Sequence, residues 1–171
     1  MSEVTRLDSE SGLYTQQMLE ILLEREVGRS KRYANPLALI YLALRLPINP
    51  IREIRETARL VAANALQTGV REVDMPGHYQ GNYLVALPET QYEGARKVAE
   101  RLISRIHGDH ATRENISFTL AACAGVAAHP GGQSISREEL LSQAATALWE
   151  AERRGSQNLV LFSEMSDPAA G

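Results

Sequence analysis

Arg71-Glu72-Val73-Asp74 sets a guanidinium and a carboxylate three residues apart, where a loop runs into a predicted strand. An arginine fork can donate two hydrogen bonds to a phosphate or to the O6 and N7 of a guanine. A carboxylate can accept from N–H groups. The plain alternative is a solvated ion pair of small energetic value. The other reactive side chains carry weaker signals. His78, His107, His110 and His129 lack metal-ligand spacing, and His107 and His110 fall in a polar loop. Cys123 sits in the apolar run Leu120 to Val126, which reads as a buried inert thiol rather than a nucleophile.

The elements that must position these residues follow from periodicity. Thr15 is a plausible N-cap, and Met18, Leu19, Leu22, Leu23 and Val27 recur at helical spacing up to Tyr33, before the Asn35-Pro36 break. Leu37 to Leu46 is almost wholly apolar and bounded by prolines, which predicts a strand buried on both faces. Ile51 to Gln67 reads as a second helix closed by Gly69. Val73 to Tyr79 and Tyr83 to Leu87 read as two strands of a hairpin, with Gln80-Gly81-Asn82 between them. Tyr92 to Ile106 is a helix and Ile116 to Ala127 a long strand. Ser136 with Glu139 makes a capping box that opens a helix to Gly155, and Asn158 to Phe162 is a final strand. This order implies a mixed central sheet with helices against it, an α/β (α+β) sandwich related to the split βαβ arrangement.

Composition narrows the function classes. The chain has 171 residues, 44% hydrophobic and 23% charged, an ordinary balance for one soluble domain. The net charge of -3 provides no basic footprint for nucleic acid. No apolar run approaches a membrane span, and the polar stretch Met1 to Glu10 is no secretory signal. One cysteine excludes an internal disulfide framework. The expectation is a cytoplasmic chain, with residues 1–165 as one domain and 166–171 as a flexible tail.

Several segments, in order, resemble the GGDEF (diguanylate cyclase) family. Asp8-Ser9-Glu10-Ser11-Gly12-Leu13-Tyr14 is similar to the family's opening D-x-L-T-G-L-Y-N. Glu24-Arg25-Glu26-Val27 through Arg32-Tyr33-Ala34-Asn35-Pro36-Leu37 resembles its first helix and the entry to the central strand. Leu87-Pro88-Glu89-Thr90, Ala99-Glu100-Arg101-Leu102 and Ala124-Gly125-Val126-Ala127 match later segments. Ala147-Leu148-Trp149-Glu150-Ala151 and Gly155-Ser156-Gln157-Asn158 resemble the closing A-L-Y-x-A-K-x-x-G-x-N. The resemblance implies the family fold, which is similar to the palm of polymerases and nucleotidyl cyclases.

It also implies an active site that this chain has lost. Two-metal phosphoryl transfer needs carboxylates. Where the family has D-x-D at the end of the central strand, this chain has Ala43-Leu44-Arg45. The signature G-G-D/E-E-F is Gln80-Gly81-Asn82-Tyr83-Leu84, so the acid of the fourth place is Tyr83 and the third place is neutral Asn82. Gln80 puts a side chain where a glycine lets backbone approach phosphate. The guanine-reading segment is shortened to Pro47-Ile48-Asn49-Pro50-Ile51-Arg52, and the phosphate-binding lysine falls on Glu152. Tyr83 and Leu84 then read as plain sheet residues.

One family site is retained on this reading. Arg71-Glu72-Val73-Asp74 has the pattern and spacing of the R-x-x-D inhibitory site that binds cyclic di-GMP, and Arg101 matches a helix arginine used as a second contact. The expectation is therefore no enzyme, no metal and no cofactor, but a cyclic di-GMP receptor or regulatory module. The alternative is a nucleotide-independent module for a protein partner or for self-association, and the outsider is an active cyclase.

Overall fold

The computed structural model describes residues 4–155 and 158–165. Helix α1 (Gln16–Tyr33) begins where Thr15 Oγ1 accepts the Met18 N–H at 3.2 Å, as its capping residue predicts. It stops at Ala34, in the left-handed region with φ 54°, just before Asn35-Pro36. Strand β1 (Leu37–Arg45) follows, then helix α2 (Arg52–Thr68), whose last turn is closed by the Gly69 N–H donating to Ala65 O at 2.8 Å. Strands β2 (Met75–Tyr79) and β3 (Asn82–Pro88) form the hairpin. Helix α3 (Tyr92–Ile106), strands β4 (Gly108–Ala111) and β5 (Ser117–His129), helix α4 (Arg137–Arg154) and strand β6 (Leu159–Leu161) complete the chain, ending in a 3-10 turn (Phe162–Glu164).

The strands form one sheet in the order β2-β3-β1-β5-β4, antiparallel throughout, with β6 added parallel to β5. The sheet is mixed, as expected. β1 is its centre: it pairs with β3 over Leu37–Leu42 and with β5 along its whole length. Its alternation serves two layers. Ala38, Ile40 and Leu42 pack with α2 and α3, through Ala58, Ala62, Ala99 and Leu102. Leu37, Leu39, Tyr41 and Ala43 pack with α1 and α4, through Leu19, Leu23, Ala144 and Leu148. That double burial is why the run carries no polar alternation. Gly125 makes the α4 layer possible. A Cβ there would lie 2.1 Å from the Leu148 backbone nitrogen.

The structure corrects the sequence reading at several boundaries. β2 starts at Met75 rather than Val73, because the Arg71–Asp74 turn occupies the residues before it. The hairpin turn is Gln80-Gly81 alone, with φ 52° and 81°, and Asn82 already pairs with Tyr79. Two positive φ values match the right-handed twist of the flanking strands. His110 lies in a strand rather than a loop. β4 pairs Gly108–Ala111 with Leu120–Ser117, and its polar side chains give no strand signal; beside the backbone pairing, Thr119 Oγ1 donates to Asp109 Oδ1 at 2.7 Å and the His110 ring lies 6.0 Å from that of Phe118. His110 Nε2 sits 2.9 Å from Ile106 O. Ser136 Oγ caps α4 by accepting the Glu139 N–H, but the Glu139 carboxylate accepts from Gln143 instead of closing the box. The expected tail, 166–171, and Ser156-Gln157 of the closing motif lie outside the described residues.

Candidate functional site

The loop between α2 and β2 builds the first candidate site. Asp74 N–H donates to Arg71 O at 3.1 Å, which bends the chain so that both side chains face one another. Arg71 N–H donates to Asp74 Oδ2 at 2.8 Å, and Arg71 Nη2 donates to Asp74 Oδ1 at 2.8 Å. Nη2 also reaches Pro88 O at 2.9 Å and Thr90 Oγ1 at 3.0 Å, at the exit of β3. The carboxylate beside it raises the Arg71 pKa. The Asp74 side chain is 0% exposed and the Arg71 side chain 51%. This is no solvated surface pair: one partner is sealed and the other caps it. Arg101, on α3, donates from Nε to Gly69 O at 2.9 Å, two residues before Arg71. Arg105 Nη1 reaches Thr68 Oγ1 at 3.1 Å.

The structure thus brings Arg71, Asp74 and Arg101 to one corner. Sequence reasoning missed Thr90, the Pro88 carbonyl and Arg105. Leu87-Pro88-Glu89-Thr90 was visible as a segment, but its contact with Arg71 depends on the turn after β3.

The other end of the hairpin holds the positions that the resemblance assigns to the family's active site. Ala43 is buried on the α1/α4 face, and Tyr83 is buried on the α2/α3 face. Their side chains therefore point to opposite sides of the sheet. Arg45, exposed at the end of β1, donates from Nη1 to Gly155 O at 3.1 Å, beyond the end of α4. Glu152 is exposed on that helix. Gln80 lies at the turn, and its N–H donates to Gln16 Oε1 at 2.9 Å. Asn82 is half-buried at the start of β3. Burial pushes the Tyr83 phenol pKa up, and its ring centroid lies 5.4 Å from that of His78. Between the turn, the end of β1 and α2 lies a cleft of about 290 Å³, bordered by Tyr83, Leu44, Leu46, Arg55 and Arg59.

A third cluster was not foreseen from sequence. Ser11 Oγ lies 2.7 Å from His78 Nε2, and Asp8 Oδ2 lies 3.7 Å from the same nitrogen. Ser11 N–H donates to Asp8 Oδ2 at 2.8 Å, which lowers the Asp8 pKa. The residue types suggest a nucleophile relay, but the geometry does not allow one. A relay needs the acid on Nδ1, the nitrogen opposite the nucleophile. The cluster instead fastens residues 7–14 to the edge of β2, where Tyr14 bridges to Gly77. Burial pushes the Cys123 thiol pKa up, as an inert thiol requires. Among the described residues no group of three or more His, Cys, Asp or Glu could hold a metal ion.

Comparison with known proteins gives the following. The family model for the diguanylate cyclase GGDEF domain matches residues 60–158, a span of 99 of the 171 residues. No curated protein matches the chain. Among solved structures, the diguanylate cyclase SiaD of Pseudomonas aeruginosa, in complex with its activator SiaC, superposes with TM-score 0.81 at 23% identity. That match covers 93% of this chain, which spans 62% of the SiaD chain. The GGDEF domain of DgcB from Caulobacter crescentus, in complex with c-di-GMP, gives TM-score 0.83 at 12% identity, covering 96% of this chain and 99% of that one. The FimX GGDEF domain from Pseudomonas aeruginosa gives 0.80 at 16%, covering 91% and 99%. At these identities the likeness is one of fold.

Proposed function

The chain belongs to the GGDEF family of diguanylate cyclase domains, and from that premise we propose that it is a catalytically silent member that binds cyclic di-GMP as a regulatory module. The observation that carries the binding half is the corner at Arg71. Its guanidinium is half exposed and held by Asp74, Pro88 O and Thr90, with Arg101 anchored two residues away. No hydrogen bond among the described residues uses Arg71 Nη1. A guanine edge or a phosphate presented to this corner meets a fork already in place, so little side-chain entropy is lost on binding. Asp74, sealed beneath Arg71, orients the fork and does not touch ligand in this arrangement.

The silent half rests on the positions of the family's metal-binding acids, where Ala43, Arg45, Asn82 and Tyr83 provide no carboxylate for Mg²⁺, with Gln80 and Glu152 beside them. A guanidinium at the end of β1 repels the cation that a carboxylate would bind. The proposal takes residues 1–165 as one domain. It includes a cytoplasmic location, consistent with a single buried, unpaired cysteine. Among the described residues no helix is long and apolar enough to cross a membrane.

Calorimetric titration with cyclic di-GMP tests the binding. The expected result is saturable binding at micromolar ligand, lost in Arg71→Ala and weakened about tenfold in Arg101→Ala, the effect of one charge-assisted hydrogen bond. Absence of both heat and thermal shift overturns the reading. Product formed from GTP with Mg²⁺ or Mn²⁺ would overturn the silent half. A second reading, a protein-docking module, is favoured by the exposed Ile48 and Ile51 before α2 and the exposed Leu60 in the middle of it. It predicts that Arg71→Ala leaves biological output unchanged.

A further inference from the structure

The cleft at the hairpin turn carries chemistry that the Arg71 corner does not use. Arg55 and Arg59 stand one turn apart on the exposed side of α2, and like charges at this spacing repel. Other helix arginines have a glutamate three or four residues away: Arg29 with Glu26, Arg96 with Glu93, Arg153 with Glu150. Glu56 would serve Arg59, but Arg52 holds it at 2.8 Å. Among the described residues no hydrogen bond or ion pair engages either the Arg55 or the Arg59 guanidinium. The Tyr83 hydroxyl, in the wall of the same cleft, also makes no hydrogen bond. Arg59 draws the phenol pKa down against the upward push of burial, so the two groups act on each other.

We propose that this cleft binds a small organic oxyanion directly, without a metal: a carboxylate or phosphate monoester with an apolar body. Arg55, Arg59 and Tyr83 border the cleft as donors; the groove that continues from it past the same three residues also carries Asp8, Glu10 and Glu56, of which Glu56 is held by Arg52 and Asp8 by the Ser11 N–H. Leu44, Leu46 and Ala58 provide an apolar floor for the rest of the ligand. The volume, about 290 Å³, matches the lower end of small-molecule pockets. An anion between the two guanidiniums removes their repulsion and satisfies the phenol. The inference does not depend on the Arg71 reading, because Arg71 lies at the far end of the same hairpin, beside Pro88.

Titration of the full chain with phenyl phosphate and with benzoate, in buffer free of phosphate and sulfate and containing EDTA, tests this. Saturable binding of either probe is expected. It should weaken roughly tenfold or more in the double variant Arg55→Gln, Arg59→Gln and about fivefold in Tyr83→Phe. Arg71→Ala should bind the probe as the parent does. Preference for one probe distinguishes a phosphate from a carboxylate ligand. No binding, binding that appears only with Mg²⁺, or binding unaffected by the double arginine variant overturns the proposal. Arg55 and Arg59 are exposed, so their replacement leaves the core intact.

Discussion

Arg71 holds Asp74 twice, from its backbone N–H and from its guanidinium, both at 2.8 Å, while the Asp74 side chain is closed to solvent. The pair is therefore a structural joint as well as part of a candidate ligand site. Removing either partner has a different cost. Asp74→Ala leaves the Arg71 N–H without its acceptor and the fork with only Pro88 O and Thr90 Oγ1. Arg71→Ala leaves a sealed carboxylate with a single donor.

Both single variants should be less stable than the parent by about 1–3 kcal/mol, the cost of an unsatisfied buried polar group. In a domain of this size that lowers Tm by a few degrees for each kcal/mol. Urea denaturation of both variants and the double variant checks it, and a coupling energy indistinguishable from zero would show that the two residues act independently. Ligand titrations should accordingly be run well below the variant's transition.

The hairpin turn makes a second prediction. Gln80 and Gly81 both have positive φ, and nothing lies within 4 Å of a Cβ built at Gly81. Gly81→Ala should therefore cost about 1–2 kcal/mol through backbone strain alone. Gln80→Gly should stabilise, by at most about 1 kcal/mol, since the gain in the folded state is partly offset by a freer unfolded chain. Equilibrium unfolding of the two variants should show opposite signs.

A third concerns acid. Glu150 accepts from Arg153 and Arg154 on the same helix, which lowers its pKa to about 2. A carboxylate with a depressed folded pKa adds stability above its unfolded value, near 4.5, and loses it as pH falls towards 2. Asp8, lowered by Ser11, has the same sign. The urea midpoint should fall between pH 4.5 and pH 2, and Glu150→Gln should flatten that limb. Equal slopes for parent and variant would show that Glu150 does not contribute.

Much of the fold was legible because the burial pattern is strong. β1 shows no alternation since both faces are covered, and the helices carry clean apolar stripes with Thr15 and Ser136 at their starts. What escaped depends on geometry that has no residue signature. β4 is held by backbone pairing, so Gly108-Asp109-His110-Ala111 looks like a loop. The sealing of Asp74 depends on Pro88 and Thr90 closing over Arg71 from 17 and 19 residues away. Ser11 and His78 meet across 67 residues. The candidate residues Arg71, Asp74 and Arg101 were identifiable by motif. That Asp74 faces inward, and that Ala43 and Tyr83 face apart, was not.

The central place of β1 also bears on how the chain is made. Its nine residues are almost entirely apolar and have no local partner. One neighbour, β3, ends at Pro88, and the other, β5, ends at His129. A ribosome adding about 5–20 residues per second takes roughly 4–17 seconds to deliver the stretch from 46 to 129. Until Pro88 is delivered Leu37–Arg45 lacks both mates, and for the rest of that interval it still lacks β5, its longer partner, so one edge of the sticky segment stays open. Slowing translation within that stretch should lower the soluble yield, whereas slowing it after His129 should not.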